Sequence, residues 1–201
     1  GGVGKGRAWD IAKEHRAEVF AISSPLEVGF AAARNATIEK ASGDWVLWID
    51  DDEELLNPER LRKFLRPNCF DAYAVHQAHV SGEPVGLIKM DLPCRIFRNR
   101  AGFKFHGYVH EHPEMGGVNG GAGAVFLVPQ SEITIFHTGY SSEEVRRERF
   151  HRNLPLMLRD REEHPERILG KYLWLRDLCH LTRFESEQGA PRHNGMIERA
   201  K

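Results

Sequence analysis

The chain has 201 residues, enough for one domain or for one domain with a helical appendage. Hydrophobic residues make up 41% and charged residues 28%, which is typical of a globular protein and excludes a disordered chain. The formal net charge is -1, so no overall field attracts nucleic acid and any electrostatic selectivity must be local.

Cysteine content and hydropathy bear on the compartment. Cys69, Cys94 and Cys179 lie far apart without CxxC spacing, which favours a reduced, cytoplasmic protein over a disulfide-linked secreted one. No apolar run approaches the ~20 residues of a membrane-spanning helix, and no secretory leader is expected. The chain opens on GGVGKG without an initiator Met, so we expect its natural first strand to be missing. These glycines lack the preceding strand and the following Ser or Thr of a phosphate-binding loop.

The first third of the chain alternates between helix and strand signals. Helical spacing, with Asn57 as an N-cap and Gly43 as a C-cap, indicates helices, and unbroken apolar runs indicate strands. The second of these strands is expected to be central and buried on both faces. In chain order the predicted elements are helix 9–16, strand 17–22, helix 30–42, strand 45–49 and helix 57–65. This order predicts a parallel sheet with helices packed on it.

The middle third predicts short strands separated by Gly, Pro and Asn. Residues 72–80 alternate strictly between apolar and polar, which is typical of a half-exposed strand. Further strands, arranged antiparallel, are predicted at 87–90, 94–97, 103–109, 124–128 and 132–136.

The last third predicts two amphipathic helices, over 141–163, with Ser142 as the N-cap, and over 165–184. Their apolar side chains are expected to pad the core, or alternatively to pair two chains or cap a groove. These side chains are Leu154, Leu158, Leu169, Tyr172, Leu173 and Leu175.

Five consecutive acids follow the apolar run WVLWI, at the expected carboxyl edge of the sheet, where ligands bind in open α/β folds. Asp50 and Asp52 point the same way in extended geometry, whereas Asp51 faces away. Two oxygen ligands with open positions suit Mg²⁺ or Mn²⁺ shared with a substrate diphosphate. The alternative is that the acids complement the dipole of the following helix, which explains Glu53 and Glu54 better than Asp50.

Histidines and one glutamate end two other predicted strands. In HGYVHEHPE, Glu111 is a candidate general base, and His110 and His112 could share a metal ion. The alternative is a solvated strand end. His137 ends the strand of ITIFHTGY, which would place its imidazole at the same sheet edge.

Five blocks, in this order, resemble the family-two glycosyltransferases with the GT-A fold, over about residues 7–160. The blocks are Phe30–Asn35 (FAAARN), Gly43–Glu53 (GDWVLWIDDDE), Arg95–Arg98 (RIFR), Gly107–Glu111 (GYVHE) and Ile133–Tyr140 (ITIFHTGY). The resemblance implies the α/β class: a GT-A-like α/β/α sandwich with a mostly parallel sheet plus antiparallel strands and a C-terminal helical hairpin. It also implies a nucleoside-diphosphate sugar as donor.

The resemblance implies roles for the polar residues. Asp50 and Asp52 match the D-x-D motif that holds Mn²⁺ or Mg²⁺ on the donor diphosphate, and Asp51 stands where an alanine is usual. Glu111 matches the base that deprotonates the acceptor hydroxyl, in a reaction that inverts the anomeric centre in most members. His137 resembles the downstream histidine that completes metal or diphosphate binding.

Further residues are expected at the substrate. Arg34 resembles the arginine on the nucleotide side, and Arg95 is expected to reach phosphate or acceptor. Asn35, Asp51 and His110 complete the predicted substrate-binding set.

The sequence therefore predicts a cytoplasmic, metal-dependent glycosyltransferase. Its acceptor could be a saccharide, a lipid carrier, a peptide or a metabolite, and a homodimer through the C-terminal helices stays open. The predicted organisation is a catalytic domain at 1–140, a helical extension at 141–185 and a flexible tail at 186–201. Two alternatives are a metal-dependent hydrolase that uses His110, His112 and His137, and an inactive nucleotide- or sugar-binding module.

Overall fold

A computed structural model describes residues 7–65, 70–81, 86–99, 102–114, 125–139 and 142–187. The helices are α1 (Arg7–Glu14), α2 (Pro25–Val28), α3 (Phe30–Ile38), α4 (Leu61–Phe64), α5 (Glu143–Glu163) and α6 (Ile168–Glu187), with a 3-10 turn at Pro58–Arg60. The strands are β1 (Trp45–Leu47), β2 (Glu53–Leu56), β3 (Ala72–Ala74), β4 (His76–Ser81), β5 (Gly86–Asp91), β6 (Cys94–Arg98), β7 (Lys104–His106), β8 (His112–Glu114), β9 (Val125–Leu127) and β10 (Thr134–His137). The predicted Gly-rich loop at 1–6 and positions 188–201 of the predicted tail lie outside the described residues.

The described strands form two four-stranded sheets and one ribbon. The first sheet has the order β1-β6-β3-β9 and the second the order β2-β10-β4-β5, while β7 and β8 form the ribbon. The pairs β3–β9 and β4–β10 are parallel and the other described pairs are antiparallel. The predicted α/β class and the C-terminal helical pair are confirmed, although antiparallel pairs outnumber parallel ones in this part of the chain.

Two predicted strands of the first third differ from the structure. Residues 17–22 form no strand, and Val19, Phe20 and Ile22 are exposed, because none of the described strands pairs with this segment. Strand β1 is shorter than predicted and stands at the end of its sheet, where β6 is its one partner among the described strands. A strand with one neighbour is covered less well, so β1 is half-buried rather than buried on both faces.

Two predicted helix ends also differ. Helix α3 ends at Ile38, well before the expected C-cap Gly43. Asn57 has a left-handed backbone, with φ 55°, and its side chain makes no capping hydrogen bond. The expected N-cap bond is therefore wrong, and the predicted helix is divided into the 3-10 turn and the short α4.

The alternating segment 72–80 is two buried strands rather than one half-exposed strand. Strand β3 pairs in the first sheet and β4 in the second, with the fully buried Val75 between them. The polar side chains Gln77 and His79 of β4 are also buried, because polar partners on neighbouring elements satisfy them. The alternation of apolar and polar residues in this segment therefore reflects polar side chains that are buried and hydrogen-bonded, not a strand face that is exposed to solvent.

Helices α5 and α6 pack on each other and on the rest of the chain. Ser142 caps α5 as predicted, since its hydroxyl accepts a hydrogen bond from the Val145 N–H at 3.3 Å. The shared apolar cluster contains Leu154, Leu156, Met157, Trp174, Leu178, Leu181 and, from the segment before β8, Val109. This cluster joins the helical pair to the segment between β7 and β8.

The predicted padding residues of these helices divide into two groups. Leu154 and Leu173 are buried, and Leu158 packs partly buried against the apolar cluster. The exposed ones are Leu169, Tyr172 and Leu175. Within the described ranges, no helix has an apolar stretch long enough to traverse a bilayer.

Candidate active site

An open cleft of about 1210 Å³ lies beside the acidic run. Its walls come from α3, the segment after β1, the loop between β7 and β8, and helices α5 and α6. Six predicted site residues line it: Arg34, Asp50, Asp51, Asp52, His110 and Glu111. The other three, Asn35, Arg95 and His137, support residues of the lining.

The Arg34 guanidinium joins two of the predicted acids. Its Nε donates to Glu111 Oε1 at 2.5 Å, and its Nη2 donates to Asp50 Oδ1 at 3.0 Å. Glu111 precedes β8 and Asp50 follows β1, so one cation holds two carboxylates from distant segments together. Burial alone would lower the pKa of Arg34, but the charges of Glu111 and Asp50 outweigh it and raise that pKa above its ordinary value.

The Trp48 indole contacts two guanidinium groups. The Cζ atom of Arg34 lies 4.0 Å from the ring centroid, and that of Arg95 lies 3.5 Å from it. The Arg95 side chain is only 2% exposed, and its nearest nitrogen is 3.9 Å from Asp50 Oδ2. The geometry therefore supports a positioning role for Arg95, and its direct contact with substrate stays a prediction.

The Glu53 side chain is fully buried beneath the acidic run. Its carboxylate accepts hydrogen bonds from Arg95 at 2.8 and 2.5 Å, from Gln77 Nε2 at 2.5 Å and from the Asp50 N–H at 2.8 Å. The alternative expectation was that Glu53 complements the dipole of the following helix. Its carboxylate is instead bonded to Arg95, Gln77 and the Asp50 N–H, so Glu53 does not have that role. It fixes the backbone where Asp50 leaves the strand.

A series of side chains in contact runs from the cleft into the second sheet. Asp52 Oδ2 lies 3.2 Å from His137 Nε2, and His137 Nδ1 lies 2.7 Å from His79 Nδ1. His79 Nε2 in turn lies 2.8 Å from Asp91 Oδ2. Burial, together with the charges of Lys89 and His137, lowers the pKa of His79 to about 4, so its imidazole is neutral at neutral pH.

Asp52 and His137 are suitable donors for a divalent ion. A carboxylate oxygen beside an imidazole nitrogen suits Mn²⁺ better than Mg²⁺, which prefers oxygen ligands. Gly139 leaves room at this point, since a Cβ there would collide with Asp52 Oδ2 and His137 Nε2. Asp50 faces Arg34 instead, and the described ranges contain no group of three or more His, Cys, Asp or Glu side chains placed to hold a metal. Complete coordination would need rotation of Asp50 or oxygens from a substrate.

The three histidines of the hydrolase alternative have three different partners. His110 Nε2 lies 2.9 Å from Asp177 Oδ2 on α6, and His112 Nδ1 lies 3.3 Å from an Arg167 nitrogen. His137 belongs to the second sheet. Because no three-residue metal cluster occurs in the described part of the chain, the geometry offers this alternative no common site.

Asn35 uses its side-chain amide on the backbone of Phe105. Its Nδ2 donates to the Phe105 carbonyl at 3.0 Å, and its Oδ1 accepts from the Phe105 N–H at 2.9 Å. These two bonds tie α3 to β7 and so fix the position of the adjacent Arg34. The predicted substrate contact of Asn35 stays a prediction.

Helix α5 brings arginines to the cleft that the sequence alone did not single out. Arg146, Arg149 and Arg152 recur every third residue and line the cleft, and Arg149 Nη1 donates to the Gly139 carbonyl at 2.8 Å. Burial lowers the pKa of Arg152 and the charge of Arg149 lowers it further, while Glu111 acts in the opposite direction. The sequence signal for these residues was the recurrence of arginine at every third position, but a helix face that is exposed to solvent shows the same spacing.

A comparison with known protein families identifies the family to which this chain belongs. The family model described as glycosyl transferase family 2 matches residues 4–123, which includes α3, the acidic run and Glu111. The match covers more than half of the chain, so the chain belongs to glycosyltransferase family 2, as the sequence blocks predicted.

The curated relatives are longer proteins. Two proteins named glycosyltransferase SunS, one prophage-derived from Bacillus subtilis (strain 168) and one from Bacillus phage SPbeta, are each 31% identical over 156 residues. The alignment covers 74% of this chain and 36% of each SunS protein, so the chain spans about a third of their length. A TPR repeat-containing protein of Synechococcus elongatus is 36% identical over 84 residues, covering 41% of this chain and 20% of that protein.

Proposed function

We propose that the chain carries the catalytic domain of a glycosyltransferase that moves a sugar from a nucleoside-diphosphate sugar to an acceptor hydroxyl. The observation that carries this proposal is the Arg34 bridge, because Glu111 and Asp50 meet at one guanidinium in the cleft that Asp52 also lines. A general base and the groups that balance a leaving diphosphate must lie within the length of one substrate. Membership of glycosyltransferase family 2 supports the same chemistry.

The proposed reaction is a single displacement that inverts the anomeric carbon. The acceptor oxygen forms a bond to that carbon as Glu111 takes the hydroxyl proton. The bond from the anomeric carbon to the diphosphate oxygen breaks, and its electrons leave with the nucleoside diphosphate. Arg34 directs the Glu111 carboxylate, and the buried Arg95 supports Asp50 from beneath.

The leaving diphosphate needs nearby positive charge. Asp52 and His137, together with Asp50, would hold Mn²⁺ or Mg²⁺, which when bound neutralises charge on the diphosphate. Arg149 and Arg152 add fixed positive charge from α5, which lines the same cleft. The acceptor stays open among saccharide, lipid carrier, peptide and metabolite.

A thermal-shift screen of nucleoside diphosphates, each with and without Mn²⁺, tests this proposal. We expect a rise in the unfolding temperature that requires both the diphosphate and the metal, because each ligand completes the site of the other. A rise with Zn²⁺ alone would favour the hydrolase. A metal-independent rise would favour an inactive binding module, and no response to any combination would contradict nucleotide-sugar chemistry.

We also propose the organisation that accompanies this activity. Residues 1–140 form the catalytic unit, 141–185 form a helical extension that adds a wall to the cleft, and 186–201 follow it. The apolar cluster shared by α5 and α6 supports treating the two helices as one extension, which Val109 attaches to the catalytic unit. The exposed Tyr172 and Leu175 keep a homodimer through α6 open. The spacing of the three cysteines supports a cytoplasmic location.

A further inference from the structure

The loop between β7 and β8, which carries Glu111, contains two backbone positions in the left-handed region. Gly107 has φ 101°, and His110, immediately before Glu111, has φ 52°. A left-handed conformation is strained for a residue with a Cβ, so it persists only where the surrounding structure holds it. The direction in which Glu111 leaves the loop therefore depends on the contacts that fix this turn.

Asp160, in the last turn of α5, binds the backbone of this loop. Its side chain is only 3% exposed. Its Oδ1 accepts a hydrogen bond from the Tyr108 N–H at 3.1 Å, and its Oδ2 accepts one from Arg167 Nη1. A carboxylate in the last turn of a helix opposes the helix dipole, so α5 itself gains no stability from it there. The partners of Asp160 outside α5 account for its position.

Arg167, just before α6, extends these contacts towards Glu111. Its Nη2 donates to the His110 carbonyl at 3.4 Å and lies 3.3 Å from His112 Nδ1, so the guanidinium contacts the residues on both sides of Glu111. Gly107 packs on this guanidinium, since a Cβ added there would lie 2.6 Å from both terminal nitrogens. The lack of a side chain at Gly107 thus allows Arg167 to lie against the loop.

The same loop is bound to α3 on its other side. The Tyr108 carbonyl accepts a hydrogen bond at 2.8 Å from the N–H of Phe30, the first residue of α3. Arg34, one turn further along that helix, donates to Glu111 Oε1 at 2.5 Å. The loop is therefore fixed between α3, which carries the partner of Glu111, and the helical pair.

We propose that Asp160 and Arg167 are positioning residues for Glu111. The pair holds the left-handed turn at His110 and so keeps the Glu111 carboxylate directed at Arg34. The catalytic consequence rests on the proposed function, in which Glu111 is the base, whereas the hold on the loop can be measured without any ligand.

Hydrogen exchange of backbone amides, followed by NMR in the ligand-free protein, tests the hold on the loop. We expect the Tyr108 amide to exchange at least about tenfold faster in Asp160→Ala, which removes its acceptor. Arg167→Gln should also speed exchange of the loop amides. Should either variant fail to fold, Arg167→Lys keeps the charge but lacks the fork that reaches two partners. Lys171→Gln, an exposed change one turn further along α6, is the matched control and should exchange as the wild type does.

Turnover in two backgrounds tests whether Arg167 acts through Glu111. The assay measures the nucleoside diphosphate released from a pool of nucleotide sugars, with water as the acceptor. Arg167→Gln should lower turnover by about tenfold or more in the wild-type background, as displacement of a catalytic group does. In the Glu111→Gln background it should cause no further loss, because the effects of residues that act through one group are not additive. Lys171→Gln should release nucleoside diphosphate as the wild type does.

The possible results separate the two proposals. Wild-type exchange of the Tyr108 amide in Asp160→Ala, or wild-type exchange of the loop in both Arg167 variants, overturns the hold on the loop. An equal loss of turnover from Arg167→Gln in both backgrounds overturns the positioning role, since a pair that only stabilises the fold would give that result.

Failure of the proposed function would give a different result. Full turnover in Glu111→Gln, or a wild type that releases no nucleoside diphosphate, contradicts the proposed function and with it the catalytic consequence. Faster loop exchange in the Asp160 and Arg167 variants would still support the hold on the loop.

Discussion

Arg34 contacts three groups that the proposed chemistry needs. It hydrogen-bonds Glu111 and Asp50, and it stacks on Trp48. The charges of its two acid partners raise its pKa in spite of burial, so the guanidinium is charged at neutral pH. A permanent cation at this point gives the Glu111 carboxylate a fixed direction.

The variant Glu111→Gln tests the general base. We expect nucleoside-diphosphate binding to persist, since the amide keeps the shape and can still accept from Arg34, while turnover falls by ~10²-fold or more. The measurement is nucleoside diphosphate released per enzyme molecule, beside a thermal-shift binding assay. Glu54→Gln in the same acidic run is the control. Full turnover in Glu111→Gln would remove this residue from the mechanism.

The variant Asp52→Ala tests the metal site. Loss of this carboxylate removes the partner of His137 at the cleft, so the Mn²⁺-dependent part of nucleotide binding should disappear. Calorimetric titration of nucleoside diphosphate with and without Mn²⁺ measures it. Asp44→Ala, at the opposite end of β1, should behave as the wild type. If nucleotide binding by Asp52→Ala depended on Mn²⁺ as strongly as binding by the wild type does, the ion would have to bind elsewhere.

At the scale of elements, helix α5 is part of the cleft wall and not only a cover for the core. One side buries Leu154 and Met157, and another lines the cleft with Arg149 and Arg152. Burial lowers the pKa of Arg152 below its ordinary value, and the nearby charge of Arg149 lowers it further. A bound anion would act in the opposite direction.

The double variant Arg149→Gln and Arg152→Gln tests this charge. Removing two guanidinium groups should weaken nucleoside-diphosphate binding by about tenfold or more, equivalent to ~1.4 kcal/mol, because charge-assisted hydrogen bonds are lost. Calorimetry at low ionic strength is the measurement. Arg147→Gln, on the same helix but outside the cleft lining, should bind normally. An equal loss of affinity in Arg147→Gln and in the double variant would indicate a general effect of net charge and not contacts made in the cleft.

At the scale of the whole molecule, α6 is joined to the loop that carries Glu111. Asp177 on α6 is almost fully buried and contacts His110 at 2.9 Å and Arg176 at 2.6 Å. Burial would raise the pKa of Asp177, but its hydrogen bond with His110 and the charge of Arg176 outweigh this and lower the pKa below its ordinary value. The C-terminal helix thus holds the residue next to the proposed base.

The variant Asp177→Asn should lower the free energy of unfolding by about 2 kcal/mol at neutral pH, since a buried carboxylate loses its charge-assisted hydrogen bonds to the partly exposed His110 and Arg176. The stabilisation from a depressed carboxyl pKa is present above the unfolded value of roughly 3.9 and is lost as the pH falls through the lower folded value. Urea unfolding across this range should show the difference between variant and wild type shrinking in acid. Glu162→Gln, an exposed change on α5, should stay within about 0.5 kcal/mol of the wild type.

Much of the fold and part of the site could be predicted from local pattern. Helix spacing identified α3, α5 and α6, and the cap at Ser142 is a local hydrogen bond. Acids after an apolar run and Glu111 after a Gly-Tyr-Val segment were readable because these features lie within a few adjacent residues. Strand 17–22 and the half-exposed strand 72–80 were wrong because burial depends on neighbours from elsewhere in the chain.

By itself the sequence determined the family, the α/β class and the helical pair, and it named six of the residues that line the cleft. Tertiary structure alone decided that Arg34 bridges to Glu111 across 77 residues and that His137 meets His79 across 58. It also turned Arg95 inward to Glu53 and directed the α5 arginines towards the cleft. The physical reason is that periodicity reports which way a side chain points from its own backbone, whereas ion pairs and hydrogen bonds depend on partners that only folding brings within 3 Å or so.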